Sequence, residues 1–203
     1  VAAQHLAAEG LGPRTVVVGD VMTDVLFEVR DEVSDAPSPL VAELDLEAGA
    51  YYVATIHRAE NTDDPERLRH ILDSLRSLDH PVVVLAHPRL VARCAEFGLE
   101  LGGGSLLTHP PLGYRELVGS VMRARGVITD SGGLQKEAFL LRVPATTVRP
   151  STEWVETVDL GWNVLVEPGD DLIRAASRPR PPLTDAAPYG DGHAAERVAH
   201  VLL

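Results

Sequence analysis

The sequence predicts an α/β fold, a Rossmann-like parallel sheet with helices on both faces, and three observations predict it. Short β-branched or apolar runs recur at 15–18, 51–56, 82–86, 106–108, 127–129, 145–148 and 163–166. Longer amphipathic stretches separate them, the alternation that builds strand–helix–strand units. Runs such as Val82-Val83-Val84-Leu85-Ala86 carry no charge and no polar alternation, as strands covered on both faces do.

In order along the chain, residues 1–10 read like the end of a helix already under way, and the first residue is Val, not Met, so the chain is expected to be a fragment. The 15–18 run is predicted as the first strand. Residues 31–49, with Pro37 and Pro39, are expected to form an exposed acidic connection or a short helix. Between 51–56 and 82–86, Leu68, Ile71, Leu72 and Leu75 recur at helical spacing, with Asp64 placed to cap the helix and Pro65 at its first position. Leu117, Val118, Val121 and Met122 mark another helix, and Leu134, Ala138, Phe139 and Leu141 the next. After 145–148, Ser151 or Thr152 is expected to cap a helix with Glu153 and Glu156 in its early turns. Proline-rich 178–188 is expected to be an extended crossing segment before a last helix at 192–203. No internal repeat is present.

Composition narrows the function classes. The chain has 203 residues, and 18 Lys+Arg against 30 Asp+Glu give a formal charge of −12. An acidic surface does not suit the neutralisation of phosphate backbones, so nucleic acid is not an expected partner. One cysteine, Cys94, supports neither an internal disulfide nor a cysteine metal cluster, and a reduced, intracellular setting is expected. No apolar run approaches the roughly 20 residues of a membrane-spanning helix, and no signal peptide is evident. A cytoplasmic protein with no membrane partner is the expectation. Residues 1–50 hold −8 of the −12, so the rest of the chain is nearly balanced.

In an open parallel sheet, ligands bind beyond the carboxyl ends of the strands. Three polar motifs fall there: His57-Arg58-Ala59-Glu60-Asn61 after 51–56, His87-Pro88-Arg89 after 82–86, and Asp130-Ser131-Gly132-Gly133-Leu134-Gln135-Lys136-Glu137 after 127–129. Ser131, Gly132 and Gly133 can present unblocked N–H groups at a helix start, where orphan donors and the helix dipole favour phosphate. Glu137 lies six residues on, about 9 Å along a helix at roughly 1.5 Å per residue, close to the separation of a diphosphate from its ribose hydroxyls. The same glycines also suit a tight strand-to-helix turn, with Glu137 on a solvated face.

His57 and Arg58 can supply a donor and a cation to a pyrophosphate, or His57 can bond a backbone carbonyl while Arg58 pairs with Glu60. His87 has the same two readings. Arg149 ends the 145–148 run, and Trp154 either stacks on a base or packs in the core.

At these residues the sequence resembles the non-hydrolysing UDP-N-acetylglucosamine 2-epimerases. The resemblance rests on Thr55-Ile56-His57-Arg58-Ala59-Glu60-Asn61, His109-Pro110-Pro111-Leu112-Gly113-Tyr114, residues 129–138, 149–157, 161–166, and Pro188-Tyr189-Gly190-Asp191-Gly192-His193, all in the family's order. Val18-Gly19-Asp20-Val21-Met22-Thr23-Asp24 also resembles the segment opening the family's carboxy-terminal domain.

The resemblance implies that residues 1–203 are the second, UDP-binding domain of a glycosyltransferase-B-type two-domain fold, with 189–203 forming the helix that crosses back. It implies that Ser131, Gly132 and Gly133 hold the diphosphate, that Glu137 takes the ribose hydroxyls, and that His57 lies close to the reaction. It further implies a uracil pocket along 111–117, with Leu112 and Leu117, and places Arg149 near the ligand; Trp154, on its base-stacking reading, joins the substrate-binding candidates. Arg58 and His87 match positions used for a second, regulatory UDP-sugar. Pro150 stands where many relatives have Asp, and Ala59 where many have a second Arg.

The implied activity is interconversion of UDP-N-acetylglucosamine and UDP-N-acetylmannosamine through a 2-acetamidoglucal, with no metal or nicotinamide cofactor and a homodimer as the common assembly. The family's proton-transfer carboxylates lie on an amino-terminal domain, so residues 1–203 alone are expected to bind UDP weakly without turnover. The alternatives are a UDP-sugar glycosyltransferase or an epimerase of a modified sugar such as a diacetamido-uronic acid derivative, and a non-catalytic nucleotide-binding module.

Overall fold

The computed structural model describes residues 2–167 and 171–203. In chain order the elements are α1 (Ala2–Ala8), α2 (Val21–Val33), α3 (Pro39–Glu43), β1 (Tyr52–Thr55), α4 (Ala59–Thr62), α5 (Pro65–Arg76), β2 (Val82–Leu85), α6 (Pro88–Phe97) and β3 (Leu106–His109). They continue with α7 (Tyr114–Met122), β4 (Gly126–Thr129), α8 (Gly132–Leu140), β5 (Ala145–Val148), α9 (Val155–Asp159), β6 (Asn163–Val166), α10 (Leu172–Ala176) and α11 (Ala194–Leu202). These residues divide into two compact units, 29–184, and 1–28 together with 185–203.

The larger unit contains one sheet of six strands in the order β3-β2-β1-β4-β5-β6, every pairing parallel. The chain builds outward from β1 in one direction, then returns to start again at β4 on its other side. The order therefore reverses between β1 and β4, and loops leaving these two strands diverge over opposite faces and open a crevice between them.

Period-two alternation decides which face each side chain covers. Tyr52, Ala54 and Ile56 join Val82 and Val84 in a core closed by Leu68, Ile71, Leu72 and Leu75 of α5. Tyr51 and Val53 join Val83, Leu85 and Val127 in a second core closed by Leu40, Val121, Leu134 and Ala138. Both faces are thus apolar, which is why the strands read as continuous hydrophobic runs. At the start of α5, Asp64 accepts a bond from Arg67 N at 2.8 Å, with Pro65 at the first helical position, as the sequence predicts.

Within the smaller unit, Gly19 and Gly190 meet back to back. Both have positive φ, and a Cβ on Gly190 would come within 3.2 Å of the Gly19 Cα. The approach is locked by Asp20 N donating to Tyr189 O at 3.0 Å. Asp24 then accepts from Ala194 N and Ala195 N, at 3.0 and 2.7 Å, and caps α11. The 18–24 and 188–193 motifs are therefore a structural pair.

Several local expectations are corrected. The 15–18 run joins no sheet; Val16 and Val17 are 60% and 76% exposed. β-Branched residues favour extended backbone, but a strand requires a partner edge, and this run has none. Neither Ser151 nor Thr152 caps a helix. The helix α9 begins at Val155, and Thr152 Oγ1 instead accepts Trp154 N at 3.0 Å, turning the loop before it. In 31–49 the chain completes α2 and forms the short helix α3, whose Leu40 is fully buried. Residues 178–188 contain no helix or strand, as expected, and the last helix is a little shorter than 192–203.

Candidate functional site

The loops leaving β1 and β4 are stitched together by one carboxylate. Asp130, which follows β4 directly, is completely buried. It accepts from His57 N at 3.0 Å, Arg58 N at 2.9 Å and Asn61 Nδ2 at 3.0 Å. Asn61, also fully buried, donates a second bond to Val148 O at 3.0 Å and accepts from Arg67 Nε at 2.9 Å, so the ends of β1, β4 and β5 are held by one network. Thr55 and Thr129, paired in register, meet through their hydroxyls at 2.6 Å, and Thr129 Oγ1 accepts Ser131 N at 2.9 Å. A buried charge is tolerated only when its acceptor sites are filled, and here donors from the single segment 57–61 fill them.

This frame supports a cavity of about 390 Å³ at the carboxyl end of the sheet. Its walls include His57, His87, Leu112, Leu117, Ser131, Gly133 and Glu137. Seven of the residues singled out from the sequence therefore share one concavity, of a size that suits a nucleotide. The His57 and His87 rings lie 5.3 Å apart between centroids, so His87 faces the same cavity as His57.

Along the same lining, α8 starts at Gly132 with Ser131 at its cap position and no side-chain cap of its own. That leaves its first N–H groups free of side-chain acceptors. Further along α8, Glu137 accepts a bond from the Tyr114 hydroxyl at 3.1 Å. Burial raises its carboxyl above the ordinary carboxylate range, and the Tyr114 bond and Lys136 oppose that shift. Tyr114 is itself pushed up, by burial first and then by the adjacent Glu137 charge.

Gly132, Arg149, Trp154 and the Arg58 side chain stand outside the cavity lining. Arg149 Nη1 pairs with Glu153 Oε2 at 2.9 Å. Glu153 Oε1 lies against Gly132, where any Cβ would overlap it. Although burial works to raise Glu153, its own backbone N–H and the Arg149 and Arg58 guanidiniums hold it below the usual carboxylate range. A carboxylate beside the start of α8 is electrostatically what the helix end favours. Trp154 neither lines the cavity nor packs in the core. Its Nε1 donates to Gly132 O at 2.7 Å, and the Lys136 ammonium sits 4.6 Å from its ring centroid. Beneath this loop Gln135 accepts from Thr152 Oγ1 at 2.6 Å and Asn163 Nδ2 at 3.2 Å, which fixes the loop on α8 and β6.

From the sequence Asp130 and Asn61 received no individual role, Tyr114 only a place in the 111–117 stretch, and Glu153 only a place in the early turns of a helix. Asp130 could have been singled out as a charge directly after an uncharged buried strand; Tyr114 and Asn61 meet partners distant in sequence, whereas Glu153 pairs with Arg149 one helical turn back and could have been read from that spacing.

Compared with known proteins, residues 1–203 match the family described as UDP-N-acetylglucosamine 2-epimerase along their full length. The chain belongs to that family. A UDP-2,3-diacetamido-2,3-dideoxy-D-glucuronate 2-epimerase from Pseudomonas aeruginosa is 40% identical over 214 residues, covering 100% of this chain and 57% of that protein. A UDP-N-acetylglucosamine 2-epimerase from Methanocaldococcus jannaschii is 31% identical, covering 100% of this chain and 58% of its own length. The crystal structure of a Methanocaldococcus jannaschii UDP-GlcNAc 2-epimerase in complex with UDP-GlcNAc and UDP matches with a TM-score of 0.85 at 31% identity, over 99% of this chain and 58% of that one. The chain thus spans less than three-fifths of these relatives. Family membership and fold agree with the sequence expectation. Among the described residues, no helix is long and apolar enough to cross a membrane.

Proposed function

We propose that this epimerase-family chain is the UDP-holding, carboxy-terminal half of a cytoplasmic UDP-sugar 2-epimerase. The observation that carries the reading is the single cavity at the β1/β4 reversal, which gathers His57, Ser131, Gly133 and Glu137. In this reading the uracil lies along Leu112 and Leu117, the ribose hydroxyls donate to Glu137, and the diphosphate meets the N–H groups starting α8. Arg149 adds positive charge beside the diphosphate, balanced in the free protein by Glu153.

The chemistry is an elimination followed by its reverse. A base removes the proton at sugar carbon 2 while the bond from carbon 1 to UDP breaks, its electron pair leaving on the UDP oxygen. A carbon–carbon double bond remains, giving the 2-acetamidoglucal. Re-addition of UDP with proton delivery to the other face inverts carbon 2. The described residues supply the electrostatic part, stabilising charge that develops on departing UDP and keeping it in place. The proton-transfer carboxylates belong, in this reading, to the amino-terminal domain.

UDP-N-acetylglucosamine, giving UDP-N-acetylmannosamine, is the first substrate to assay. The 40% identity to an enzyme named for a diacetamido-glucuronate favours that modified sugar as the second. Product analysis with each UDP-sugar separates them, and failure of both excludes the reading. A homodimer belongs to the proposal and is checked by light scattering. The shared cavity of His57 and His87 supports a role for His87 at the substrate, leaving Arg58 as the regulatory contact.

A further inference from the structure

We propose that Asp130 is a positioning residue for His57, and that His57 and His87 are held as opposite tautomers across the same cavity. The inference deepens the reading of this cavity as the UDP site and rests on it for its functional meaning, but its geometric part stands without a ligand.

His57 Nδ1 lies 3.1 Å from Asp130 Oδ1. The carboxylate is completely buried and fixed by the His57 and Arg58 backbone N–H groups and by Asn61, so it cannot turn away. An ionised carboxylate accepts and never donates. The neutral His57 ring therefore carries its proton on Nδ1, and Nε2 holds the lone pair.

His87 is arranged the other way. Its Nδ1 accepts the Arg89 backbone N–H at 3.1 Å, so the neutral ring carries its proton on Nε2. In its neutral form His87 is therefore a donor through Nε2. His57 is an acceptor until it takes up a proton at Nε2, where it becomes a cation held against Asp130 and able to pass that proton to the oxygen leaving with UDP. One histidine binds and the other exchanges a proton, and the difference is set by Asp130 on one side and the turn into α6 on the other.

The test is a long-range ¹H–¹⁵N spectrum of the imidazole nitrogens in the ligand-free protein at a pH where both rings are neutral, with His57→Gln and His87→Gln used for assignment. The expected result is Nδ1–H for His57 and Nε2–H for His87. Asp130→Asn, whose amide can donate towards Nδ1, is expected to move His57 to the Nε2–H form and leave His87 unchanged. A wild-type His57 in the Nε2–H form overturns the proposal even where Asp130→Asn does not fold, and so does an Asp130→Asn protein with an unmoved His57. A separate titration of wild type with UDP tests the cavity reading, so failure of one is distinguishable from failure of the other.

Discussion

Replacing Glu137 by Gln removes a charge and almost no volume, and the structure gives it opposite effects on stability and binding. In the free protein, burial holds the Glu137 carboxyl above the ordinary carboxylate range. Its ionised form is then a cost to the fold that a neutral amide does not carry, while the Tyr114 hydroxyl can still donate to the amide oxygen. A carboxyl whose proton is held more tightly when folded adds stability at low pH that is lost as pH rises through its folded value. The melting-temperature difference, variant minus wild type, should therefore grow more positive from the acidic range towards neutrality. Ribose binding should move the other way. Two hydroxyls need two acceptors, the amide offers one, and a hydrogen bond to a charged group contributes about 1.5–3 kcal/mol. At about 1.4 kcal/mol per decade, UDP affinity should fall roughly ten- to a hundred-fold. Calorimetric titration with UDP and thermal scans across pH measure both effects. Unchanged UDP affinity, or a variant less stable than wild type at neutral pH, would refute the placement of Glu137.

Three further substitutions probe the frame. Gly132→Ala places a methyl where Glu153 Oε1 lies, but that oxygen is the end of a flexible, partly exposed side chain, so the fold should lose under about 1 kcal/mol while UDP binds about ten-fold more weakly; equal losses in melting temperature and affinity would contradict this. Asn61→Ala takes one of three donors from Asp130, which keeps the His57 and Arg58 N–H groups, and removes the side-chain bond to Val148 O; it should cost about 2–4 kcal/mol, or roughly 5–10 °C in Tm, measured by calorimetry. Asp24→Ala uncaps α11 and should cost about 0.5–2 kcal/mol, read as faster amide exchange at Ala194 and Ala195.

What was legible in the sequence follows from how local its cause is. The six sheet strands, α5 with its Asp64 cap, and the glycine start of α8 are all written within a few residues, and all are found. The 15–18 run failed because pairing is not a local property: Val16 and Val17 have strand propensity but no neighbouring strand. Thr152 failed as a cap because its hydroxyl is drawn into a bond with Gln135, seventeen residues away. In the site, His57, Ser131 and Glu137 declare themselves through motifs after strands. Asp130 does its work through partners 69 to 73 residues earlier, which only the β1/β4 adjacency brings together.

Whether UDP occupies the cavity at the β1/β4 reversal is read from amide chemical-shift mapping during a UDP titration. Shifts are expected to concentrate at Ser131, Gly132 and Gly133 and to extend to Glu137 and to residues 112–117. Saturable shifts centred elsewhere, or none at the start of α8, would contradict this placement of UDP.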